Sequence, residues 1–255
     1  MITHYDLIYD SEKNLHLDLF LPETESFDLL VYIHGGGLNS YSHKGFDPYA
    51  DYFAKANFAT ASIEYRLYPD AKFPDFIEDC AKAIKWLKDN ISAYGKCNNI
   101  FVSGSSAGAY LTMMLCFDKR YLNAVGLNST DITGYIHDSG QPTTHFNVLK
   151  EYGYDYRRVI VDEKSPMYFV GMEEKYSPML FLVATNDMHC RLEQTKMMVK
   201  LLEDFGHKDT VFLEVLEGKH CENTWKINEK GESVFVNLVL NFKNAIFKNL
   251  GEKND

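Results

Sequence analysis

From Pro22 onward, short apolar runs alternate with amphipathic stretches. "DLLVYIHGG" (28–36) is a continuous apolar run closed by glycines, the pattern of a strand buried on both faces. "FATASIEY" (58–65), "NNIFVSGS" (98–105), "MLFLVATND" (179–187) and "TVFLEVLEG" (210–218) repeat it, and "AVGLNS" (124–129) predicts a shorter strand. Between them, "DPYADYFAKAN" (47–57), "DFIEDCAKAIKWLKDN" (75–90), "SAGAYLTMMLCF" (106–117) and "EQTKMMVKLLEDFG" (193–206) predict helices. In the second helix Phe76, Cys80, Ala83, Ile84 and Leu87 share one face at helical spacing. "VFVNLVLNFKNAIFKNL" (234–250) predicts a terminal helix, and "YDLIYD" (5–10) with "LHLDLFL" (15–21) a hairpin. Strands separated by helices predict one α/β domain over residues 1–255, with a mostly parallel eight-stranded sheet and helices on both faces.

Residues 131–177 break this rhythm, being rich in Tyr, Asp, His and Pro with no clear period. That is too long for a simple connection and predicts a small lid insertion over the carboxyl edge of the sheet, or a long connector.

Charge and composition narrow the function classes. The net charge of -10, from 26 basic and 36 acidic side chains, repels phosphate backbones and argues against a nucleic-acid partner. No apolar run approaches the length of a membrane span. The first residues lack a basic segment followed by an apolar one, so no secretory signal is expected. Five cysteines, at 80, 97, 116, 190 and 221, contain no CxxC pair and read as reduced thiols of a cytoplasmic protein. A homo-oligomer is compatible with the sequence.

The chemistry centres on "FVSGSSAGAY" (101–110), which holds three serines. Gly-x-Ser-x-Gly between a strand and a helix lifts its serine hydroxyl clear of the backbone on a tight turn. Gly104 and Gly108 frame that pattern and select Ser106 as the nucleophile. Ser103 belongs to the strand, and Ser105 takes the variable slot, suited to supporting neighbouring loops. A serine hydroxyl deprotonates poorly near neutral pH and needs a base. Asp187 ends one late strand and His220 follows another, both at the edge where ligands bind in open α/β sheets. His220 is therefore the candidate base and Asp187 the acid that orients it, whereas Asp209 precedes its strand. "IHGGG" (33–37) ends an earlier strand with three glycines. Gly36 and Gly37, with Ala107, are candidate N–H donors to an oxyanion, and Gly35 and His34 support the loop. A phosphate loop is excluded because neither GxxxxGK[ST] nor GxGxxG is present.

"DMHC" (187–190) and "KHC" (219–221) bring His189, Cys190 and Cys221 near these strand ends, ligand types suited to Zn²⁺. The better use of His220 is toward Ser106, so neither metal nor cofactor is expected. Tyr135, His137, His145 and Tyr168 are loose candidates for binding substrate, with a solvent-facing loop role as the alternative.

Together, "YIHGGGL", "EYRLYPDAKFPDFIEDCAKAIKWL", "NIFVSGSSAGAYLTMM", "SPMLFLVATND" and "GKH" resemble the α/β-hydrolase superfamily, in its hormone-sensitive-lipase-like and small carboxylesterase branch. The resemblance runs from about Leu15 across the chain. It implies Ser106, Asp187 and His220 as catalytic triad and Gly36, Gly37 and Ala107 as oxyanion hole. Many relatives carry an acidic residue where this chain has Ser105. An acetyl- or feruloyl-esterase-like subgroup is the expected placement. The expected activity is hydrolysis of small or medium acyl esters through an acyl-enzyme. The alternatives are an arylformamidase-like amidase with the same triad and a non-catalytic binding protein of the same fold. Aryl esters assayed beside N-formyl aryl amides separate the first pair, and binding without turnover marks the last.

Overall fold

In the computed structural model, which describes residues 1–252, eight strands form one sheet in the order β1-β2-β4-β3-β5-β6-β7-β8. The strands are β1 (Ile2–Asp10), β2 (Leu15–Leu21), β3 (Ser26–Ile33), β4 (Phe58–Ile63), β5 (Lys96–Ser105), β6 (Gly134–Asp138), β7 (Met179–Asn186) and β8 (Val211–Lys219). Only the pairings of β2 with β1 and β4 are antiparallel, and the other five are parallel. The expected eight-stranded, mostly parallel α/β-hydrolase sheet is therefore present. The last residues of the expected 1–255 domain, 253–255, lie outside the described residues.

The apolar run of β3 explains how the layers form. Leu29, Val31 and Ile33 enter one core, while Leu30 and Tyr32 enter the other. Both faces of the strand are buried, so its sequence is apolar without alternation. Helices α2 (Asp75–Asn90), α3 (Ala107–Phe117) and α6 (Arg191–Asp204) cover the first face. Helices α1 (Asp47–Lys55) and α8 (Val234–Glu252) cover the second. The face predicted for α2 is wholly buried, Phe76, Cys80, Ala83, Ile84 and Leu87 included.

Two expectations need correction. "AVGLNS" is no strand: its first residue ends helix α4 (Lys119–Ala124), and Gly126 then turns the chain with φ +76°. The strand belonging there is β6, inside the segment expected to be lid or connector. It lies between β5 and β7 and is buried throughout. Periodicity missed it because its polar residues, His137 and Asp138, find partners only in the folded protein. Beyond β6, residues 139–145 are buried as well, as are Asn147, Val148 and Leu149 of helix α5 (Phe146–Glu151). Asn147 of α5 donates to the Gly37 carbonyl at 2.5 Å, fixing α5 beside the glycine loop.

Candidate active site

Because β3, β5, β6, β7 and β8 run parallel, their carboxyl ends meet on one edge and deliver the glycine loop, Ser106, Asp138, Asp187 and His220 to one place. Ser106 occupies the turn between β5 and α3 with φ 56° and ψ -115°, a strained conformation for a residue bearing a Cβ. Its N–H donates to the Asp138 carbonyl at 2.8 Å, which holds the turn. The turn also needs its glycines. A Cβ on Gly108 would lie 2.0 Å from the Ile33 carbonyl oxygen, and one on Gly104 2.4 Å from the Gly108 carbonyl carbon.

The Ser106 hydroxyl lies 2.8 Å from His220 Nε2. His220 Nδ1 lies 2.5 Å from Asp187 Oδ1. The ionised carboxylate can only accept, so Nδ1 carries the proton and Nε2 is free to accept one from Ser106. Burial raises the Asp187 carboxyl pKa. The His220 hydrogen bond and charge, with the Met188 N–H, more than offset this and bring the group below the ordinary carboxylate value. The three residues, distant in sequence, thus form one hydrogen-bonded chain.

That chain opens into a cleft of about 770 Å³ lined by Ser106, His220, Gly36, Gly37, Tyr41, Phe46, Phe146 and Trp225, among others. Gly36, with φ +93°, turns the loop tightly enough that a Cβ there would lie 2.1 Å from the Ser40 carbonyl oxygen. Gly35 packs against the Ser106 turn, its virtual Cβ 2.9 Å from the Ser105 carbonyl oxygen. Ala107 opens α3, where the first N–H groups of a helix have no partner within the helix. His34 Nδ1 donates to the Gly35 carbonyl at 2.9 Å, and the ring stacks on Tyr65 with centroids 4.3 Å apart. Burial, opposed only in part by that hydrogen bond, lowers the His34 pKa to about 4, so the ring is neutral near pH 7.

Several residues at the site escaped the sequence reading. Asp138, fully buried at the end of β6, accepts hydrogen bonds from Ser105 at 2.9 Å, from Thr224 and from Ser139 at 3.2 Å. Burial raises its pKa, and the hydroxyl donors and the nearby His220 oppose that only in part. Ser105 precedes Ser106, and Thr224 lies on α7 (Glu222–Trp225) just after His220. Asp138 thereby ties the serine turn to the histidine loop. Asp138→Ala would remove the acceptor of three buried hydroxyls and is expected to cost about 2 kcal/mol. Thermal unfolding should register this as a fall in Tm of about 4–8 °C, and Asp138→Asn, which keeps an acceptor oxygen, should lose less.

Of the loose binding candidates, Tyr135, His137 and His145 are buried in the protein interior. Tyr135 donates to the Ser129 carbonyl, His137 pairs with Thr112, and His145 caps α5. Tyr168 is exposed, in the turn Pro166–Phe169. Cys190 and Cys221 are free thiols, and burial raises the Cys221 pKa. None of the four tyrosines and histidines lines the cleft.

Fold and sheet-edge geometry define an α/β-hydrolase. Residues 17–154, more than half of the chain, match the BD-FAE family, and the chain belongs to it. "Probable carboxylesterase 1" of Arabidopsis thaliana is 32% identical over 144 residues, covering 48% of this chain and 45% of that protein. The chain thus spans about half the length of the curated relatives it matches. Esterase B from Lactobacillus Rhamnosis superposes with a TM-score of 0.79 at 17% identity, over 100% of this chain and 89% of that one. An esterase of Thermogutta terrifontis, Est2, superposes with a TM-score of 0.73 at 19% identity, over 96% of this chain and 92% of that one. At these identities the structures establish the shared fold.

Proposed function

We propose that the protein is a serine carboxylic-ester hydrolase acting on small or medium acyl esters. The observation that carries this reading is the hydrogen-bonded chain from Ser106 through His220 to Asp187 at the floor of an open cleft. His220 accepts the Ser106 proton as Oγ attacks the ester carbonyl. Gly36, Gly37 and Ala107 offer N–H groups to the tetrahedral oxyanion, each such donor being worth about 3 kcal/mol in related chemistry. His220 returns the proton to the departing alcohol, leaving an acyl group on Ser106. A water molecule, deprotonated by His220, then attacks the acyl carbonyl, and Ser106 leaves with the proton as the acid is freed. Asp187 holds the imidazole in the required tautomer and stabilises its cationic form. The aromatic lining of Tyr32, Phe46, Tyr49 and Trp225 supports an alcohol portion with a flat face, aromatic or sugar. The names of the similar carboxylesterases and esterases support the reaction class.

The experiment is covalent labelling by an alkyl fluorophosphonate, followed by peptide mass spectrometry. The label should map to Ser106 and vanish in Ser106→Ala, with p-nitrophenyl acetate and butyrate hydrolysed faster than an N-formyl aryl amide. A label that persists in Ser106→Ala would refute the assignment.

No helix among the described residues is long and apolar enough to cross a membrane. The free state of all five cysteines supports a reducing, cytoplasmic setting.

A further inference from the structure

We propose that Asp6, Asp18 and His43 form a binding site for one divalent transition-metal ion, Zn²⁺ by ligand chemistry, built from none of the residues of the Ser106 chain. The fold assembles it from β1, β2 and the loop between β3 and α1. Among the described residues, these three offer one ligand atom each within 4.8 Å of one another. His43 Nε2 lies 3.6 Å from Asp6 Oδ1 and 3.7 Å from Asp18 Oδ1, too far for hydrogen bonds. It is close to the separation of about 3.4 Å between two ligands of a tetrahedral zinc ion.

His43 is the observation that points to a ligand. It is 4% exposed, and neither ring nitrogen has a hydrogen-bond partner. Asp18 Oδ2 is likewise buried and unpartnered. Three of the seven buried side-chain atoms left without partners among the described residues thus collect at one place. Buried polar atoms rarely stay unpaired without a reason. Beyond Nδ1, 3.9 Å away, lies Glu64 Oε2, the carboxylate position that commonly orients a metal-bound histidine. The Asp6 N–H donates to Asp18 Oδ1 at 2.8 Å and orients that carboxylate.

A cation already fits between the two carboxylates. Lys44 Nζ lies 2.6 Å from Asp6 Oδ1 and 2.9 Å from Asp18 Oδ1. Its side chain is 45% exposed and can swing out, while Asp6, 59% exposed, opens the site to solvent. One imidazole with two carboxylates suits zinc or manganese better than calcium or magnesium, which take oxygen ligands. The site departs from the expectation of no metal because its members are scattered in sequence and show no ligand spacing. It does not depend on Ser106 being a nucleophile.

The test is Zn²⁺ titration of the full chain after chelator treatment, by calorimetry and by metal analysis after dialysis, with folding checked by circular dichroism. One zinc per chain is expected. Asp6→Asn, at an exposed position, and His43→Gln should each weaken binding at least tenfold, while Lys44→Met, which removes the competing ammonium, should tighten it. Excess Ca²⁺ should not displace the zinc, and Co²⁺ in its place should show no thiolate charge-transfer band. No uptake by the unaltered chain overturns the proposal, as does unchanged affinity in Asp6→Asn. Displacement by calcium, or a thiolate band placing the metal on cysteine, overturns it equally.

Discussion

Replacing His220 by alanine is expected to lower kcat for p-nitrophenyl acetate by about 10⁶-fold. In the proposed reaction the imidazole performs both proton transfers, and its Nε2 lies 2.8 Å from the Ser106 oxygen. Without it the hydroxyl has no base within hydrogen-bond reach among its described contacts. KM should change little, because most of the cleft wall is contributed by other residues. The double variant Ser106→Ala/His220→Ala should be no slower than either single one, since the two groups act as a unit. The rate that remains above the uncatalysed reaction would measure what the proposed oxyanion donors and substrate binding contribute without the base. Stopped-flow and steady-state kinetics on purified variants check this, and a loss below tenfold would exclude His220 as the base.

Gly108→Ala should produce the largest loss of stability. Its Cβ would lie 2.0 Å from the Ile33 carbonyl oxygen and 2.7 Å from that of His34, both backbone atoms that no side-chain rotation can move. Helix α3 must then retreat from β3, separating the Ser106 turn from the glycine loop. Overpacking of this kind costs about 3 kcal/mol, which corresponds to a Tm lower by about 6–12 °C in a chain of this size. Activity should fall with it, because Gly36 and Gly37, proposed oxyanion donors, and Ser106, the proposed nucleophile, are carried on the two parts forced apart. Differential scanning calorimetry combined with kcat separates the effects, and Gly126→Ala serves as control. Gly126 has nothing within 4 Å of its virtual Cβ and bears only the cost of its positive φ.

The order of strands and helices was legible because two-sided burial leaves continuous apolar runs. Helix α2 was expected at 75–90 and spans Asp75–Asn90. Ser106, Asp187 and His220 were legible for a related reason: each directly follows a strand whose end is marked by apolar residues giving way to small or polar ones. The structure brings the three side chains into hydrogen-bond contact. What stayed hidden were groups whose meaning depends on partners remote in the chain. β6 carries His137 and Asp138 on a fully buried strand, where His137 Nδ1 pairs with the Thr112 hydroxyl and Asp138 accepts from hydroxyls that include Ser105 and Thr224. Local periodicity cannot register a hydrogen bond to Thr112 or to Thr224. The same blindness applies to Asn147, whose amide holds the Gly37 carbonyl across 110 positions of sequence. Asp6, Asp18 and His43 are hidden in the same way, since nothing in their spacing announces that they converge.

The outermost hairpin, β1–β2, holds Lys44 through Asp6 and Asp18, and Lys44 lines the cleft on the same loop that carries Gly36 and Gly37. A bulky fusion at the amino end, or a protease nick in that hairpin, will therefore reshape the cleft wall from outside it. Turnover numbers from differently tagged preparations become comparable only after the first strand is known to be intact.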